Sequence, residues 1–185
     1  MTLRALFLQK KNAIVASWLD KTLASYPPDA IKFFKGERDQ FANPVGQAFR
    51  KETEAVFSEL TGGKNGELDA EKLCVHLDGI IKIRAVQDMT PSRAVSFVFL
   101  LKDVIREELK TELQDAKIQA EWTSFLARID QLALFAFDVF TSRREQVYQL
   151  RVNEVKRSIS GLIRRLNREV FVPGQEGDPD KQEQK

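Results

Sequence analysis

The residues able to do chemistry are few. The chain holds one histidine, His76, and one cysteine, Cys74. Two positions apart on a helix, they point to different faces, and neither has a second soft ligand near it in sequence. No HExxH, paired ExxH or CxxC motif is present, so acid–base and metal chemistry lack their usual converging groups. The run Thr61-Gly62-Gly63-Lys64-Asn65-Gly66 is glycine-rich but lacks the spacing of a phosphate-binding loop, and it reads as a turn between helices. For His76 three readings stand: a haem-iron ligand in a helical pocket, a phospho-accepting histidine, or a histidine at the edge of a packed helix with a satisfied hydrogen bond. The last is the expected one. A protein that binds, with no catalytic, cofactor-binding or metal residue, is the expectation.

The elements that must position these residues are all helical. With 9 Gly and 6 Pro in 185 residues, long stretches run without a breaker. Residues 3–25 repeat apolar side chains at helical spacing (Phe7, Ile14, Trp18) and end at Tyr26-Pro27-Pro28. Residues 27–43 read as an irregular connection with one helical turn at Ile31–Phe34. Asn43-Pro44 and Thr90-Pro91 each combine a capping residue with proline at the first helical position, and Asp69 opens a further helix. That helix should turn Leu73, Leu77, Ile80 and Val86 inward. The segment Ala94–Leu101 is apolar on all sides and is expected to be the central, most buried helix, with Phe97, Phe99 and Leu101 filling the interior.

From Ala116 to Val170 there is no proline. Up to Phe140 the apolar face is wide, with Trp122, Phe125, Ile129, Leu132, Phe135 and Phe137. It then narrows to Tyr148, Val152, Val155, Ile159, Leu162 and Leu166, whose steps of 4, 3, 4, 3 and 4 are the seam of a coiled coil. These six residues are a candidate dimer seam. Between Arg143 and Arg168 lie eight basic residues and two acids, Glu145 and Glu154. That excess suits a solvated face, docking on an acidic partner, or contact with phosphates. The expected division is a helical sensor or interaction domain over 1–142, a C-terminal helix over 143–172, and a disordered tail over 173–185.

A net charge of +2 is too small to predict nucleic acid as a partner for the whole chain. A single cysteine fits a reducing compartment, and the apolar runs fall short of the ~20 residues that span a bilayer. The N-terminal apolar stretch is interrupted by Gln9, Lys10 and Lys11, unlike a signal peptide. A cytoplasmic protein without a transmembrane segment is expected.

One stretch carries more than amphipathic pattern. Ile83–Asp88, Thr90-Pro91-Ser92, Ala94-Val95, Phe97 and Leu100-Leu101-Lys102 interleave charged and apolar residues over some twenty positions. With Trp18, Asn43-Pro44 and Phe49-Arg50 in order before it, the chain resembles the N-terminal domain of RsbT co-antagonist proteins, the RsbR-type sensors of bacterial stressosomes. The resemblance covers roughly residues 5–150. It implies a globin-like all-α bundle with a long C-terminal helix, dimeric and without haem, that senses a signal and passes it along that helix. In such proteins the helix leads to a phosphorylatable STAS domain, and no mixed-sheet pattern of that kind occurs in this sequence. Within the matching stretch Arg84, Gln87, Asp88 and Arg93 crowd one tight corner. They either pair to fix that corner or form a ligand or partner surface. The functional expectation is a non-enzymatic signalling or scaffold module that pairs with itself and docks a protein partner through its C-terminal helix. Beside it stand a haem or small-ligand sensor, and a basic helix that docks an acidic chain.

Overall fold

The computed structural model describes residues 1–36, 43–63, 68–87 and 89–170, and among these there is no strand. The chain is all-α, as expected. Its helices are α1 (Leu3–Leu23), α2 (Pro28–Gly36), α3 (Pro44–Gly62), α4 (Ala70–Ala85), α5 (Pro91–Val95), α6 (Phe97–Glu108) and α7 (Ala116–Val170), with a 3-10 turn at Glu112–Gln114 before α7. The expected tail over 173–185 lies outside the described residues.

Side chains that accept backbone N–H groups start several of these helices. Thr2 caps α1, Asn43 caps α3, Asp69 caps α4 and Thr90 caps α5. The Asn43 cap is wholly buried: Oδ1 accepts from Gly46 N at 2.8 Å while Nδ2 donates to the Phe34 carbonyl at 2.9 Å. Gly46 makes that approach possible, since a Cβ there would lie 2.4 Å from Asn43 Nδ2 and 2.5 Å from the Phe34 oxygen. Gly46→Ala should therefore lower stability by about 1–3 kcal/mol, read from the urea midpoint, because a backbone carbonyl has to move. An unchanged midpoint would mean that the α2–α3 junction is loose.

The chain divides into two compact units, Met1–Val147 and Tyr148–Lys185. In the first, α1 packs on α3 and α6, and α3 packs on α2 and α4. Trp18 is the pivot. Fully buried, it stacks on Phe97 with ring centres 6.1 Å apart and donates Nε1 to the Phe97 carbonyl at 2.7 Å. The α7 side of this core is Ile118, Trp122, Phe125, Ile129, Leu132, Ala136 and Phe140, a run of three- and four-residue steps on one face.

Five expectations need correction. Residues 28–36 are a full helix, for Pro28 is acceptable in a first turn and Ile31 N donates to the Pro27 carbonyl at 3.0 Å. Ala94–Leu101 is not one central helix. It breaks at Ser96, where the Arg93 carbonyl accepts from Arg84 Nη2 at 3.1 Å and from Ser96 Oγ at 2.9 Å, side chains taking the place of the next helical N–H. Phe99 is 44% exposed and lies under Lys102 Nζ, while Phe97 and Leu101 do fill the interior. Phe137 is 48% exposed because it leaves the face that runs through Ala136 and Phe140, and Phe135 is half-buried. Val86 is 61% exposed, since α4 ends at Ala85 and the chain turns there.

Candidate functional site

His76 and Cys74 sit on α4 and are half-buried. His76 Nδ1 lies 2.8 Å from Glu52 Oε2 on α3. Gly79 makes room for this pair, because a Cβ at 79 would lie 2.5 Å from Glu52 Cγ. The ring is thus a bridge between two helices, the hydrogen-bonded arrangement favoured from sequence. Burial and the nearby Asp138 charge push the Cys74 thiol up, away from the thiolate that nucleophilic or ligand chemistry needs. Among the described residues no group of three or more His, Cys, Asp or Glu is placed to hold a metal ion.

The corner between α4 and α5 is built mainly from arginines. Arg84 is fully buried between two rings, its guanidinium 5.3 Å from the centre of Tyr26 and 5.4 Å from that of Phe97. Its Nη2 donates to Arg93 O and, at 3.3 Å, to Ser25 Oγ, whereas Nε and Nη1 have no acceptor. No carboxylate faces this charge among the described residues, so the aromatic faces and two oxygens hold it. Burial lowers the Arg84 pKa and the Arg93 charge adds to that, with Tyr26 opposing; burial raises the Tyr26 pKa against the pull of Arg84.

Arg93 is exposed and donates Nη2 to Ser25 O at 3.2 Å, satisfying a carbonyl just beyond the end of α1. Gln87 is half-buried, and its carbonyl accepts from Arg144 Nη1 at 3.0 Å. Asp88 lies outside the described residues. Of the four corner residues, then, Arg84 is interior, Arg93 ties α5 to the end of α1, and Gln87 meets α7 through its backbone.

Arg144 belongs to the same corner, which no sequence spacing indicated. Its Nη1 also donates to Ala85 O at 2.9 Å, so a cation from α7 caps the C-terminus of α4 where the helix dipole favours it. Beside it Arg143 pairs with Asp78 of α4 through both Nε and Nη2, and that pairing raises its pKa. Two of the eight basic residues near the C-terminus therefore serve the fold. The signal was non-local: only the packing of α7 on α4 brings positions some sixty apart together.

The candidate seam behaves differently. Tyr148, Val152, Val155, Ile159, Leu162 and Leu166 are each 45–60% exposed, and Leu150 and Ile163 are exposed as well. Arg151, Lys156, Arg157, Arg164 and Arg165 are exposed on the same helix, with Glu154 the one acid between Tyr148 and Leu166. No helix among the described residues is long and apolar enough to cross a membrane.

Comparison with known proteins agrees with the resemblance in the α4–α6 stretch. No curated protein and no solved structure matches the chain significantly. The family model described as the RsbT co-antagonist protein rsbRD N-terminal domain matches residues 12–155, well over half of the chain. The match includes the arginine corner, the Trp18–Phe97 pivot, and α7 as far as Val155. On that extent, this chain belongs to the family of RsbT co-antagonist protein N-terminal domains.

Proposed function

We propose that this chain is a non-enzymatic signalling module that pairs with a second copy of itself through the C-terminal stretch of α7. The observation that carries the reading is the row of six exposed apolar side chains from Tyr148 to Leu166 at coiled-coil spacing. Membership of a sensor-domain family supports it. In this reading 1–142 is the sensing bundle, 143–172 the pairing helix and 173–185 a polar tail. The bundle and the pairing segment share α7, so a ligand or partner that prefers one packing of the bundle would shift the helix and whatever it carries. An acidic partner chain is the second reading, favoured by the basic side chains that flank the exposed stripe.

Size-exclusion chromatography with light scattering, taken with the absorbance spectrum of the same peak, tests this directly. The expected result is a colourless dimer. A monomer at all accessible concentrations would sink self-pairing and leave the acidic partner. A visible chromophore would move the function to cofactor sensing, and its loss in His76→Ala would name the ligand.

A further inference from the structure

One cleft of the Met1–Val147 unit belongs to none of the features above. It has a volume of about 380 Å³ and lies where the first turns of α1, the end of α3 and the buried part of α7 meet. Phe7 and Phe125, with rings 4.7 Å apart, supply an apolar floor. Arg4 and Arg128 supply two cations, Ser124 a hydroxyl and Glu121 a carboxylate.

The polar groups of this lining are unequally satisfied. Glu121 Oε2 accepts the Leu3 N–H at 2.7 Å, so that carboxylate is committed to the first turn of α1. Arg4 Nη2 reaches the Gly62 carbonyl at 3.4 Å. Arg128 has no carboxylate partner among the described residues, and its Nε and Nη2 are buried without an acceptor. Its guanidinium lies along Phe125, 5.6 Å from the ring centre. Burial lowers its pKa, and the Arg4 charge lowers it further. A buried charged fork with two unmet donors is costly, and a small turn of the side chain would carry them into the cleft, where a bound anion would accept from them.

We infer that this cleft binds a small organic anion, a monocarboxylate with a short apolar tail, with Arg128 as its counter-charge and Phe7 and Phe125 packing the tail. Two cations against one committed carboxylate leave a single surplus positive charge, which suits a monoanion better than a phosphate dianion. The paired rings reward a ligand with a hydrocarbon portion over a bare ion. Glu121, Ser124, Phe125 and Arg128 all stand on α7. The ligand would therefore touch the helix that carries the exposed seam. That coupling rests on the proposed function; binding itself does not.

The test is calorimetric titration of the full chain with octanoate, with 1-octanol and inorganic phosphate as separate probes. Octanoate should bind saturably, and neither octanol nor phosphate should match it. Arg128→Gln should weaken octanoate at least tenfold and Arg128→Lys less. Ser124→Phe, which keeps both arginines and fills the cleft, should abolish binding, and it decides the matter if Arg128→Gln proves misfolded by circular dichroism. Lys102→Gln, at an exposed ion pair with Asp130, should bind as the parent does. No saturable octanoate heat, equal binding of octanol, or undiminished binding by Ser124→Phe would overturn the inference. Light scattering on the same samples separates the two proposals. Binding to a protein that remains monomeric would keep the ligand site and remove self-pairing. A dimer that ignores octanoate would do the reverse.

Discussion

Ile159→Lys should turn a dimer into a monomer at micromolar concentration. Ile159 is the middle of the exposed stripe, 51% exposed in the single chain, and pairing would cover it on both copies. Losing a buried aliphatic side chain costs about 1.5–3 kcal/mol. Two symmetry-related losses then come to roughly 3–6 kcal/mol, a rise of about a hundredfold or more in dissociation constant. Leu162→Glu should act in the same direction. Exposed Leu134→Lys, on α7 but off the stripe, should leave the mass unchanged. The charges beside the seam add a second signature. In a parallel pairing Arg151 of one copy lies beside Lys156 of the other, and few acids offset them. Salt screens such repulsion, so the dimer should tighten as ionic strength rises. A dimer that persists in Ile159→Lys, or weakens with salt, would place the interface elsewhere.

The second large effect is expected at Arg84, with a contrast between two substitutions. Arg84→Ala removes a fully buried side chain packed between Tyr26 and Phe97 and leaves a cavity. A loss of about 3 kcal/mol follows, or roughly 6–12 °C in Tm for a domain of this size. Arg84→Met fills much of the same space with an unbranched chain that suits aromatic neighbours, and it removes a buried charge with two unmet donors. It should fall within about 1 kcal/mol of the parent. Thermal and urea unfolding of the two variants decide the point. If methionine is as damaging as alanine, the bonds to Arg93 O and Ser25 Oγ hold the corner, and the packing between rings does not.

Most helix starts were legible in sequence because a cap is a local event. Asn43-Pro44, Asp69 and Thr90-Pro91 announce themselves within four residues, and each caps in the fold. The stripe from Tyr148 to Leu166 was equally legible, since periodicity is a property of one helix. The break at Ser96 was not. Apolar pattern runs straight through it, and the interruption comes from Arg84, twelve positions earlier, competing for the Arg93 carbonyl. The charge cluster near the C-terminus likewise read as one basic face. In the fold Arg143 and Arg144 serve α4, whereas Arg151, Lys156, Arg157, Arg164 and Arg165 stay exposed.

The all-α class, the caps of α3, α4 and α5, a long C-terminal helix and the family were legible in the residues, because each rests on local spacing or on a contiguous stretch of residue types; that Ala116–Val170 is one helix and not two came from the fold. The tertiary structure alone decided which polar groups have partners. His76 meets Glu52, Arg84 lies between aromatic rings with no carboxylate beside it among the described residues, and Arg128 lines a cleft while two of its donors are buried unmet. Those outcomes depend on which helix faces which, and desolvation and hydrogen bonding act across such contacts between residues far apart in the chain.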